Sequence, residues 1–205
     1  MSITTIYLVR HGATSANLEN PHRLQGQRLD LPLDEHGRDQ ASRAAKALAS
    51  IPITAVYASP LLRARQTAAF FAEPRGLVER IVPEIIEVEI GRWESLTWDE
   101  ARRETPEWHD RFHANPGTVP YPEGESFQDV QDRVTPAFAA IAAAHPGEPV
   151  VAIGHNVTCR SYLAGLLGIP IDRARAIRQS NGGINVIQYE NGKPLVVTVN
   201  AALHL

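Results

Sequence analysis

Three short segments of the chain combine an apolar, strand-like run with polar residues that could act on an anion. They are Leu8-Val9-Arg10-His11-Gly12, Ala58-Ser59-Pro60-Leu61-Leu62-Arg63 and Ile153-Gly154-His155-Asn156. Each reads as a buried strand, then its carboxyl end, then the start of a helix. In open α/β sheets, ligands collect outside the carboxyl ends of the strands, and helix N-termini at that edge favour negative charge. Two arginines and two histidines are therefore expected to converge from distant parts of the sequence. Arginine offers planar paired donors that match phosphoryl oxygens. A neutral imidazole can attack phosphorus and carry the group covalently. Gly12, with no side chain, is read as letting backbone approach a ligand beside His11.

The elements that must hold these residues follow from hydrophobic periodicity. Residues 3–9 are apolar and β-branched, as in a buried strand. Residues 34–50 read as a helix capped by Asp34. Residues 55–58 read as a short strand. Ser59-Pro60 reads as the cap and first turn of a helix through residue 72. Residues 78–88 are expected to be extended, with Pro83 arguing for an edge or an irregular stretch. A short helix is expected at 97–104. Residues 105–125 hold four prolines and two glycines and read as a loop or a broken helix pair. Ser126 to Asp129 resembles a capping box, and Phe127, Val130, Val134, Phe138 and Ile141 recur at helical spacing. Pro136 should kink that helix. Residues 149–153 read as a strand, and residues 157–167 as a helix closed by Gly168 and Pro170. Residues 184–189 and 195–199 flank Asn191-Gly192, a hairpin signal, with the loop length left open. Strands alternating with helices imply an α/β fold. The expected architecture has three layers, a mostly parallel mixed sheet flanked by helices on both faces. One domain is expected over residues 1–205, with a lid or specificity segment at 92–125.

Bulk properties limit the partners. A chain of 205 residues with 43% hydrophobic and 21% charged residues suits an ordinary globular fold with a sizeable core. A net charge of −3 recommends neither nucleic acid nor an anionic membrane as partner. The single cysteine, Cys159, rules out an intrachain disulfide and reads as a small buried residue. The N-terminus has no basic stretch or small-residue cleavage pattern, and no apolar run approaches membrane-spanning length. The expected location is the cytoplasm. His109 and His113 have the i, i+4 spacing of a helical metal pair, but no third ligand is evident. They read as a solvated helix face or as part of the pocket. Trp93, Trp98 and Trp108 read as core or pocket wall.

The chain resembles the histidine phosphatase superfamily, in its phosphoglycerate-mutase-like branch. The resemblance runs through residues 8–17, whose Arg10-His11-Gly12 and Asn17 look like the family signature. It continues through Leu24-Gln25-Gly26-Gln27 and Asp30-Leu31-Pro32-Leu33, then Gly37 with Gln40-Ala41. Residues 59–68, Glu87 before Gly91-Arg92-Trp93-Glu94, Gly124-Glu125-Ser126 and Gly154-His155 follow in the family's order. The resemblance implies His11 as nucleophile, forming a phosphohistidine. It implies Arg10, Arg63 and His155 on the phosphoryl oxygens, with Asn17 as a neutral donor. Gln25, Gly26 and Asn156 would add phosphate or substrate contacts. Glu87 would protonate the leaving oxygen and then help activate water. No cofactor and no metal is implied. Ser95 stands where the family usually has glycine, and Ala16 where a large aromatic residue is common.

Three functions are weighed. A phosphatase passes the phosphoryl group from His11 to water. A cofactor-dependent phosphoglycerate mutase returns it to a bound phosphoglycerate. A catalytically dead relative would only bind phosphorylated ligands, and its mark would be loss of His11, Arg63 or His155, all of which are present. Hydrolysis is preferred because the basic residues of the lid segment are few: Arg92, Arg102, Arg103 and Arg111. The expected partner is a small phosphorylated metabolite of unread identity. Oligomeric state stays open, a homodimer being one alternative.

Overall fold

A computed structural model describes residues 2–205. Its centre is a six-stranded sheet built from β1 (Ile3–Arg10), β2 (Ala55–Ala58), β3 (Arg80–Ile81), β4 (Pro149–Gly154), β5 (Ile184–Glu190) and β6 (Lys193–Ala201), in the order β3-β2-β4-β1-β5-β6. β1, β2 and β3 join β4 in a parallel core, while β5 and β6 run antiparallel at one side. The expected mixed, mostly parallel α/β sheet is what forms. β5 and β6 are joined by Asn191-Gly192 alone, both at positive φ (51° and 75°). That is the conformation in which a two-residue hairpin matches strand twist.

Side chains of β1 alternate between two cores. Ile6 and Leu8 pack with α6 (Phe127–Ala144) and α7 (Asn156–Leu167) on one face. Val9 packs with α2 (Glu35–Ala47) and α3 (Leu62–Ala72) on the other. On α6, Val130, Val134, Phe138 and Ile141 form the buried stripe. This helix runs on through Pro136, which is exposed, as is Asp132. The Asp132 carbonyl that Pro136 cannot engage is therefore left to water, and the helix is not broken there. Asp34 caps α2 as expected, accepting from Gly37 N at 2.6 Å. Ser59 does not cap α3. That helix begins at Leu62, whose N–H goes to Asp30 Oδ1 at 2.8 Å, because the Ser59 hydroxyl is engaged by His155.

Residues 78–88 are less extended than expected. Only Arg80 and Ile81 pair with β2, and Pro83 opens a single 3-10 turn to Ile85. Residues 98–114 form two helices, α4 (Trp98–Glu104) and α5 (Pro106–Ala114), broken at Thr105. A short α1 (Ser15–Leu18) follows the β1 end. Among the described residues no helix is long and apolar enough to cross a membrane.

Candidate active site

The carboxyl ends of β1 and β4 lie side by side, Arg10 opposite Gly154, so His11 and His155 leave the sheet next to each other. Their ring centroids are 5.0 Å apart. His11 is buried, and its Nδ1 lies 2.7 Å from the Gly12 carbonyl. A carbonyl only accepts, so Nδ1 carries the proton and the lone pair sits on Nε2. Burial, then Arg63 and Arg10, hold the His11 pKa well below the ordinary imidazole value, and His155 is held down by burial and the same arginines. Both rings are therefore neutral at neutral pH. His155 Nε2 meets the Ser59 hydroxyl at 2.7 Å, leaving its Nδ1 buried without a partner.

Arg10 and Arg63 flank the histidines. Arg10 donates through Nη1 to Gln179 O at 2.7 Å, and burial brings its pKa down to about 10. Arg63 is 1% exposed and donates through Nη2 to Gly26 O at 2.8 Å and through Nη1 to Leu29 O at 3.3 Å. In both side chains Nε is buried with no partner. Unpaired buried polar atoms are costly and rare, so Arg10 Nε, Arg63 Nε and His155 Nδ1, in side chains close enough to His11 to shift its titration or meet its ring, are candidates to bind an anion's oxygens.

A cavity of about 340 Å³ opens above this cluster, lined by Arg10, His11, Asn17, Gln25, Glu87 and Asn156 among others. Arg63 and His155 are not on its wall. Asn17 turns Oδ1 to Thr14 N and to Asn181 Nδ2, which leaves its Nδ2 as the donor for the cavity. Glu87 is buried at the start of α7. Its carboxylate accepts from Val88 N at 2.9 Å, Val157 N at 3.2 Å and Thr158 N at 3.3 Å. Gln25 faces the cavity but binds Thr14 and Leu29. Gly26 is not on the cavity wall; its carbonyl holds Arg63 and its N–H goes to Glu94 Oε1 at 2.7 Å. Gly12 has a different reason from the expected one. A Cβ there would sit 2.1 Å from Gly37 O, and one on Gly37 would sit 2.0 Å from Ala13 O. The backbone that approaches His11's neighbour is the first turn of α2.

Several contributors escape a reading of the sequence. Asn181 donates to His11 O at 3.0 Å, and Gly182 N to Arg10 O at 2.9 Å, so the turn before β5 clasps the strand that bears His11. Only the Ser-Asn-Gly-Gly run hinted at such a turn. Arg133 holds both oxygens of Glu125 and the Glu87 carbonyl, and so fixes Glu87's segment from α6. Arg160 and Arg175 reach the same cavity as His11. Arg160 follows Asn156 by one helical turn, a usable signal. Arg175 comes from a 3-10 segment, Ile171–Ala176, with no pattern to announce it.

The lid segment supplies an aromatic wall. Trp93 is fully buried and meets Trp98, His109, Phe112 and Tyr121 edge-on or tilted. His109 turns inward against Trp93, whereas His113 lies at the surface beside Trp98, so the pair is only half solvated. Trp108 is exposed rather than core. Cys159 is buried and free, and burial pushes its thiol pKa up. Among the described residues no group of three or more His, Cys, Asp or Glu is placed to hold a metal ion. Ser95 has φ +67°, the left-handed region that glycine adopts freely, which accounts for the departure from the family's glycine as a strained substitute.

Fold and site together define an α/β protein with an anion-accepting cavity at the carboxyl ends of its parallel strands. The chain belongs to the histidine phosphatase superfamily, branch 1, whose sequence pattern matches residues 6–202. It is 30% identical over 200 residues to phosphoserine phosphatase 1 of Hydrogenobacter thermophilus, covering 98% of this chain and 93% of that one. It is 33% identical to a probable phosphoglycerate mutase GpmB of Shigella boydii, covering 90% and 85%. The solved structure of Bacillus stearothermophilus YhfR superposes with a TM-score of 0.91 at 32% identity, over 98% of each chain.

Proposed function

We propose that this histidine phosphatase hydrolyses small phosphomonoesters in two steps at His11, without a metal. In the first, His11 Nε2 attacks phosphorus while the bond to the leaving oxygen breaks, giving phosphohistidine, and Glu87 supplies the proton to the departing alkoxide. In the second, water attacks the phosphohistidine, Glu87 takes the water proton, and inorganic phosphate leaves with His11 restored. Arg10, Arg63, His155 Nδ1 and Asn17 Nδ2 hold the three transferring oxygens, where charge stabilisation and positioning dominate the rate. The observation that supports this reading most is the set of buried atoms without partners, Arg10 Nε, Arg63 Nε and His155 Nδ1, in the side chains neighbouring a neutral imidazole whose tautomer is set by Gly12 O. The relative from Hydrogenobacter thermophilus carries a phosphatase name. Residues 92–125, with Trp98 and Tyr121 on the cavity, act here as the specificity segment.

A second reading, transfer back to a bound phosphoglycerate, gains from Arg160 and Arg175. The lid segment itself is poor in cations, but these two arginines bring cationic charge to the cavity from α7 and its following 3-10 segment. One experiment separates the alternatives. Phosphate release from a panel of phosphomonoesters is measured with chelator present, beside isomerisation of 3-phosphoglycerate primed with bisphosphoglycerate. The expected outcome is chelator-resistant phosphate release, lowered roughly 10⁴–10⁶-fold in His11→Ala, with an acid-labile phosphoryl label on the wild-type chain only. Strict chelator sensitivity defeats the metal-free mechanism, and isomerisation outrunning release defeats hydrolysis as the main reaction.

A further inference from the structure

The stretch between the 3-10 segment Ile171–Ala176 and β5 does more than connect them. Residues 177–183 belong to no helix or strand, yet they hold both residues at the end of β1. Gln179 O accepts from Arg10 Nη1 at 2.7 Å, the one hydrogen bond that this guanidinium makes among the described residues. Gly183 O accepts from Arg10 N, and Gly182 N donates to Arg10 O. Asn181 Nδ2 reaches His11 O and Asn17 Oδ1. A stretch without a ladder of its own needs outside support if Gln179 O is to aim Arg10 in one direction.

That support is a buried pair of side-chain amides. Asn185 sits on β5 opposite Leu8 of β1 and is 0% exposed, and Gln179 is 4% exposed. Asn185 Nδ2 donates to Gln179 Oε1 at 2.9 Å and to Leu8 O at 3.0 Å. Its Oδ1 accepts from Gln179 Nε2 at 3.1 Å and from Asn200 N at 2.8 Å. Gln179 Nε2 also donates to Arg178 O at 2.9 Å. A backbone carbonyl on one side of Asn185 and a backbone N–H on the other admit one amide orientation, and both donors and both acceptor positions are filled. Asn200 adds a second strut from β6, its Oδ1 accepting from Ser180 N at 2.7 Å. Exchanging a buried hydrogen-bonded pair for apolar groups of the same shape can be nearly neutral, so stability alone is no reason for amides here. What a fully satisfied buried network supplies is one rigid arrangement. We infer that Asn185 and Gln179 are positioning residues for Arg10. They fix the Gln179 carbonyl, and through it the guanidinium whose unpaired Nε is proposed to meet the phosphoryl group. The inference rests on the reading that Arg10 holds phosphoryl oxygens, and goes beyond it by assigning that geometry to two residues that line no part of the cavity.

Two substitutions test it. Gln179→Met removes the amide pair and the bond to Arg178 O, while Asn185 keeps Leu8 O and Asn200 N; Asn185→Leu removes all four of its bonds. Gln179→Met is expected to lower kcat roughly tenfold and Asn185→Leu roughly 10- to 100-fold, each by the same factor for every phosphomonoester, short of the loss from deleting a preorganised donor. Affinity for inorganic phosphate, measured by calorimetry, should fall with kcat. The decisive measurement is a double-mutant cycle with Arg10→Met. In that background there is no guanidinium left to misplace, so neither substitution should lower kcat or phosphate affinity further. General damage to the fold would multiply with the loss at Arg10 instead, and urea midpoints establish that each compared chain is folded. Should Asn185→Leu not fold, Gln179→Met completes the cycle by itself. Wild-type kcat in Gln179→Met, or factors that multiply in the double variants, overturns the proposal. Wild-type kcat and phosphate affinity in Arg10→Met overturns it for a different reason, because the phosphoryl role of Arg10 then fails first.

Discussion

The cavity has two ends, and they are built on different principles. The floor around His11 is made of strand ends and helix starts, tied by backbone: His11 N to Gly154 O, Gly182 N to Arg10 O, Arg10 N to Gly183 O. The far wall is made of side chains packed on side chains, Trp93 against Trp98, Phe112 and Tyr121, with Arg175 laid across the rings. A hydrogen-bonded sheet edge permits one geometry, whereas side-chain packing tolerates volume-conserving exchange at usually less than about 1.5 kcal/mol. On the proposed reading, chemistry that needs sub-ångström placement belongs to the first, and recognition of the leaving group to the second.

Substitutions on the two ends should therefore fail differently. After His11→Ala, the largest effect is expected from Arg63→Met, which deletes a buried donor proposed to hold the phosphoryl group and leaves the Gly26 and Leu29 carbonyls without it. Its kcat should fall roughly 10²–10³-fold, by the same factor for every phosphomonoester tried. A loss that depends on the alcohol would mean that Arg63 reads the substrate rather than the transferring group. Trp98→Leu, on the wall, should shift the ranking of substrates by about tenfold at most, because one missing contact in an apolar pocket discriminates only weakly. A uniform fall in kcat for Trp98→Leu would erase the distinction between the ends.

Acid probes the floor specifically. His11 and His155 resist protonation in the folded chain, while in the unfolded chain they titrate near the ordinary value of about 6.5. Below that pH the unfolded state binds protons that the native state does not, so stability falls as pH falls, by about 1.4 kcal/mol per pH unit for each proton. Urea unfolding at pH 7 and pH 5.5 should show the loss, and His155→Gln should lessen it. A flat profile in the wild-type chain would contradict the neutral imidazoles.

Much of the floor was readable from the sequence because it obeys local rules. A β-branched run followed by Arg-His-Gly is visible as a strand end, and a sheet that alternates with helices forces such ends to one edge. Arg10, His11, Arg63 and His155 were brought together by topology alone. The wall was not readable in the same way. Arg175 lies 20 residues beyond His155 in a turn with no periodicity, and what makes it important is which rings it lies across. The roles of Asp30, Glu94 and Arg133 were hidden for a related reason, since each acts through backbone groups distant in sequence. Gly12 was read correctly as a close approach but against the wrong neighbour, because a missing Cβ shows that something is near without showing what. Ser95 marks the wall's tolerance. Ser95→Gly should stabilise the protein by about 0.5 kcal/mol in thermal or urea unfolding, the relief of a left-handed φ offset by a freer unfolded chain.

The meeting of Gly12 with Gly37 has a consequence for how this protein can change. A Cβ on Gly12 would sit 2.1 Å from Gly37 O and one on Gly37 would sit 2.0 Å from Ala13 O, so replacing either glycine leaves the backbone that excludes the other's Cβ in place. No second substitution can compensate the first. The position of His11 is thereby referenced to the first turn of α2, on the side of the sheet away from the aromatic wall. On the proposed reading, a change of leaving-group preference is therefore to be sought in the cavity residues of segment 92–125 and at Arg175, not beside Gly12.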